Sequence, residues 1–139
     1  MTGLASGLVI ASAAILLSLG LVHLLYTFRG PKLHPRDPAL EEAMKQGHPV
    51  LTRRTTMWKA WVGFNVSHSM GAILYGLVYG YLALVHQAML FASPFLLGTG
   101  LVLLMGYVLV GNRYWFSAPN SGIFAATALY VVALIVALF

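Results

Sequence analysis

The stretch from Arg29 to Thr56, RGPKLHPRDPALEEAMKQGHPVLTRRTT, holds six of the chain's eight basic residues and all three of its acids. Lys59 follows at its edge, and Arg113 is the one charge elsewhere. On both sides of this stretch the chain is apolar. Hydrocarbon about 30 Å thick needs roughly 20 apolar residues in a helix. Four segments meet that length: Gly3–Phe28, Met57–Val85, Met89–Gly111 and Ser121–Phe139. They use most of the 139 residues. The expectation is an all-α integral membrane protein, with four transmembrane helices in one bundle and a single domain over residues 1–139.

The charge map also orients the chain. With four spans, the first and third connections share one face and carry every Lys and Arg. The turn at His86-Gln87 and both termini share the other face and carry none. Positive-inside reasoning places the loops in the cytoplasm and the termini outside. The expected location is a bacterial cytoplasmic (inner) membrane. The net charge of +5 is then an orientation signal and a patch for membrane lipids, and no nucleic-acid partner is expected. The absence of cysteine excludes disulfides and thiolate metal sites. The first segment lacks a basic n-region and is longer than an ordinary signal-peptide core, so it reads as a retained span.

Within the loop, Asp37 to Gly47 predicts a short amphipathic helix. Asp37 suits the N-cap, Pro38 the first helical position and Gly47 the stop. In the first span, Gly3, Gly7, Ala11, Ala14 and Ser18 form a small-residue face suited to close helix packing. The second span carries a polar-aromatic stripe, Trp58, Trp61, Asn65, His68, Ala72, Tyr75 and Tyr79, beside a small stripe, Ala60, Gly63, Ser67 and Gly71. Such a helix is expected inside the bundle or at a subunit interface. The third span ends at Asn112-Arg113-Tyr114-Trp115, an interfacial anchor. Asn120 or Ser121 is expected to cap the last span. That span reads as a lipid-facing scaffold, with Tyr130 its one large polar group.

Asn65 and His68 are the sharpest candidates for chemistry, being three residues apart on one face. His68 admits two readings. It is a functional ionisable group within the membrane, or a neutral histidine that hydrogen-bonds to Asn65, to Ser69 or to another helix. His23 lies about five residues from its helix end, within reach of interfacial water. His34, His48 and His86 read as solvated loop residues. Haem is disfavoured, because by residue count His23 and His68 differ in depth by roughly 7 Å. Two membrane histidines are too few for a metal site. No acid lies in a span, no phosphate loop is present, and no serine has a base at recognisable spacing.

The order of features resembles the membrane-associated proteins of eicosanoid and glutathione metabolism (the MAPEG family). These are four-helix proteins of similar length, with a cytoplasmic first loop and termini on the other side. The family's second helix carries Arg-x-x-x-Asn-x-x-Glu. The corresponding run here is Trp61-x-x-x-Asn65-x-x-His68. Asn65 is retained, while both charges are replaced. The family's arginine at the start of the fourth helix falls on Pro119-Asn120-Ser121, which has no cation. The resemblance implies a homo-oligomer, specifically a trimer, and glutathione as a possible cofactor. Arg54 and Arg113 are the cations left to stand in for the missing charges.

Two functional expectations follow. One is a site that binds, or transforms, a small amphipathic or lipid-like ligand near the cytoplasmic leaflet. There His68 is the acid/base group and Asn65 its orienter, and Trp58, Trp61 and Tyr75 form walls. His23 lies nearby, and Arg53, Arg54 and Arg113 attract an anionic headgroup. Imidazole suits proton transfer near neutral pH. The other is a non-catalytic scaffold or accessory subunit, in which the Asn65/His68 pair specifies packing.

Overall fold

The computed structural model describes residues 2–138. The elements are α1 (Thr2–Phe28), α2 (Pro38–Gln46), α3 (Met57–Val85), α4 (Gln87–Ala92), α5 (Pro94–Tyr114) and α6 (Ser117–Leu138), with no strand among the described residues. Four helices are long and apolar enough to cross a membrane: Gly3–Phe28, Met57–Val85, Pro94–Tyr114 and Ser117–Leu138. Large apolar side chains such as Phe95, Val102, Leu109 and Leu84 point outward, as a surface solvated by lipid requires.

Local chemistry sets the element ends. α1 stops at Gly30, the one residue with positive φ (79°) among those described, a conformation that glycine adopts without steric cost. Asp37 Oδ1 accepts from the Ala39 amide at 2.9 Å to start α2, and the Gly47 amide closes it on the Ala43 carbonyl at 2.7 Å. α2 therefore has the expected extent.

The expected third span is divided. Pro94 locks its φ and has no amide proton, so it cannot continue a helix from the turn before it. Ser93 accepts from the Leu96 amide at 3.2 Å and starts α5 afresh. The last span also starts earlier than expected, at Ser117. Asn120 is therefore not its cap; its amide donates to Asn112 Oδ1 at 2.9 Å.

The chain forms two compact units: the residues up to Leu19 with those from Ala72 onward, and Gly20–Gly71. The core of the first is a tyrosine cluster. Tyr75 and Tyr79 stack with ring centroids 4.7 Å apart, and Tyr130 meets Tyr79 edge-on at 5.9 Å. Each hydroxyl is satisfied, as burial demands. Tyr75 pairs with Ser12 Oγ at 3.2 Å, Tyr79 donates to the Leu96 carbonyl at 2.7 Å, and Tyr130 donates to the Leu97 carbonyl at 3.0 Å. Gly100 leaves the room for this. A Cβ there would fall 2.7 Å from Tyr79 Cε1 and from Tyr130 Cζ. The last helix is thus not a plain lipid-facing scaffold, since Tyr130 and Thr127 are buried.

The face of α1 that packs in this unit also differs from expectation. Ala5, Ser6, Val9, Ser12, Ala13 and Leu16 are buried, while Gly3, Gly7, Ala14 and Ser18 are exposed. The reason lies on α3. Tyr75 needs a hydroxyl partner, and Gly76 admits a close approach: a Cβ there would sit 2.6 Å from Leu17 Cβ and 2.8 Å from the Ala13 carbonyl oxygen. Only the Ser12/Ala13 face supplies both.

Candidate functional site

The second unit, Gly20–Gly71, contains the end of α1, the charged loop with α2, and the first half of α3. Its centre is Asn65, which is buried. Asn65 Nδ2 donates to the Trp61 carbonyl one turn earlier at 2.8 Å. That fixes the amide orientation and leaves Oδ1 as an acceptor. His23 Nε2 lies 3.0 Å from this oxygen, so Nε2 carries the proton and donates. In the neutral ring, Nδ1 then holds the lone pair. Nearby, Ser69 donates to the Asn65 carbonyl at 2.9 Å, and Thr27 donates to the His23 carbonyl at 2.9 Å.

His68 is half-buried beside this pair. Its ring meets His23 edge to face at 5.2 Å and lies nearly parallel to Phe64, centroids 6.2 Å apart. The depth offset of roughly 7 Å inferred from helical rise does not hold. The start of α3 is level with the loop rather than with the end of α1: Trp61 Nε1 donates to the Leu33 carbonyl at 3.0 Å, and the Met57 amide donates to the Gly47 carbonyl at 2.9 Å. Axial haem ligands would have to face one another across a macrocycle. Here the rings touch edge to face, and His23 Nε2 is engaged by Asn65. Among the described residues no three His, Asp or Glu stand close enough to hold a metal ion.

Beside Asn65 is a niche of about 10 Å³, lined by Thr27, Leu33, His34, Trp58, Trp61, Val62 and Asn65. That is room for about one water molecule. Its outer wall is an aromatic and ionic cluster. Trp58 meets His34 edge-on at 4.8 Å, and the Lys45 ammonium lies 5.7 Å from the Trp58 ring. Glu41 bridges Lys45 and His34, 2.6 Å from Lys45 Nζ and 3.1 Å from His34 Nδ1. Lys45 first, then His34, holds the Glu41 carboxyl below its ordinary range, and Glu41 in turn raises the Lys45 ammonium.

Of the residues expected from sequence, this unit brings together His23, Asn65, His68, Trp58 and Trp61. Arg53 and Arg54 are exposed in its loop. Tyr75 belongs to the tyrosine core of the other unit, and Arg113 is exposed there at the end of α5. His34 was expected to be solvated, yet it lines the niche and pairs with Glu41. Its position three residues before Asp37, at the mouth of an amphipathic helix, was the available signal. His48 is likewise engaged, 2.7 Å from the Thr55 carbonyl.

Comparison with family models, with curated proteins and with solved structures finds no match.

Proposed function

We propose that this chain is a four-span membrane protein, with both termini outside and the charged loop in the cytoplasm. In this reading it binds a small amphipathic ligand at the His23–Asn65–His68 cluster near the cytoplasmic leaflet. The observation that carries it is the 3.0 Å contact between His23 Nε2 and the buried Asn65 Oδ1, which orients the imidazole. Asn65, itself held by the Trp61 carbonyl, spends its one acceptor on His23 Nε2–H. An ionisable pair on two apolar helices, with one ring oriented by a neighbour, suits proton transfer or headgroup recognition.

The niche holds about one water, so the ligand lies along the open face. Its head meets the histidines, and its chain runs away from the charged loop into the hydrocarbon. Arg53 and Arg54 supply attraction for an anionic head. Asn65 takes the place of orienter for His23, and His68 is the second imidazole of the pair. Homo-oligomerisation, a trimer by the family resemblance, would cover the exposed small-residue faces of α1 and α3.

Native mass spectrometry of the chain in mild detergent, beside a His68→Leu variant, tests this. The expected result is a defined small-molecule adduct on the native protein that the variant loses while assembling normally. An accessory subunit is the reading to adopt if the variant fails to assemble and no defined adduct is present.

A further inference from the structure

The segment between α2 and α3 is built as a closed finger. At its base the Met57 amide donates to the Gly47 carbonyl at 2.9 Å, and His48 Nδ1 donates to the Thr55 carbonyl at 2.7 Å. At its tip the Thr52 amide donates to the Pro49 carbonyl at 3.2 Å, which makes a tight turn with Val50 and Leu51 at its centre. Behind the turn, the Arg54 amide donates to Thr52 Oγ1 at 3.1 Å. This closed geometry holds two aliphatic side chains away from the rest of the unit: Val50 is 109% exposed and Leu51 93%. Arg53 and Arg54 follow directly. Neither lies within ion-pair distance of an acid among the described residues, where the carboxylate contacts are those of Glu41 with Lys45 and His34.

Paired aliphatics at the tip of a hydrogen-bonded turn, followed by two free cations, match an anionic membrane surface. The apolar groups leave water at the headgroup boundary, and the guanidiniums meet phosphate. The bilayer is also within reach. Met57, whose amide closes the base of the finger, is the first residue of a helix long and apolar enough to span it.

We propose that the Pro49–Arg54 finger docks on the bilayer that the chain itself spans. Val50 and Leu51 enter the headgroup boundary, and Arg53 and Arg54 hold anionic phospholipid headgroups. The finger shares Arg53 and Arg54 with the proposed ligand site, while Val50 and Leu51, whose insertion is the readout, take no part in that site.

The chain has no cysteine, so Leu51→Cys gives a single labelling site, and Val50→Cys provides the same report from the neighbouring position. Each is labelled with an environment-sensitive fluorophore and reconstituted in phosphatidylcholine vesicles, with or without about 30% phosphatidylglycerol. With the anionic lipid, the emission should shift to the blue and be quenched several-fold more by shallow spin-labelled lipids. Arg53→Gln with Arg54→Gln should abolish that difference, as should about 0.5 M salt. A water-like emission in both membranes overturns the proposal. So does a blue shift that lipid quenchers do not reach, which would mean that protein, a second copy or a partner, covers the tip.

Discussion

His23 is the residue whose chemistry depends most on its neighbour. Its Nε2–H is committed to Asn65 Oδ1, so any proton it exchanges passes through Nδ1. Asn65→Leu removes the acceptor and costs about 1 kcal/mol of stability by the usual net worth of a hydrogen bond. It should also mix the His23 tautomers, seen as a change in the imidazole ¹⁵N shifts, while His68 keeps its place on α3. A His23 ring whose shifts are the same in both proteins would show that the bond does not set the tautomer. That Asn65 and His68 share one face of α3 was visible in the three-residue spacing. That Asn65 serves His23 was not, because it depends on how far α3 extends past the end of α1.

At the scale of elements, close approach decides the packing. Gly100→Ala places a Cβ against the Tyr79 and Tyr130 rings, and overpacking of this kind typically costs about 1–3 kcal/mol. Gly98→Ala meets nothing within 4 Å and serves as the neutral control. Thermal unfolding of both in one detergent should show a lower midpoint for Gly100→Ala alone. The loop helix gives a pH prediction. The Glu41 carboxyl is depressed in the folded chain, so its contribution is present above the unfolded carboxylate pKa, about 4.3, and is lost as pH falls through the lower folded value. Amide protection factors of α2 should therefore decline in acid, and Glu41→Gln should lack that decline. The helix itself was readable from Asp37, Pro38 and Gly47. The break at Ser93-Pro94 is written in the proline, but an apolar run on both sides conceals it. The packed face of α1 was not readable, since small residues occur on several sides of that helix and only the demands of Tyr75 and Gly76 choose among them.

For the whole molecule, the number of helices long and apolar enough to span was legible because charge is confined to one loop, to Lys59 at its edge and to Arg113. The site was legible only in part, because two of its walls, Leu33 and His34, come from irregular backbone with no period to read. The proposed orientation rests on the same charge map and is open to direct test. With no native cysteine, single cysteines at the exposed Ala43 and at His86 should be modified from opposite sides of the membrane, Ala43 from the cytoplasm. Labelling of both from one side would overturn the proposed topology. The central claim is ligand recognition at the histidine pair, and the most direct test is photoaffinity labelling in native membranes with a diazirine-bearing, single-chain amphiphile. Peptide mapping should place the crosslinks on the segments around Val22–Tyr26 and Trp58–His68, with loss of labelling in His68→Leu. Crosslinks spread evenly over the outward faces of α1, α3, α5 and α6, and unchanged in the variant, would contradict it.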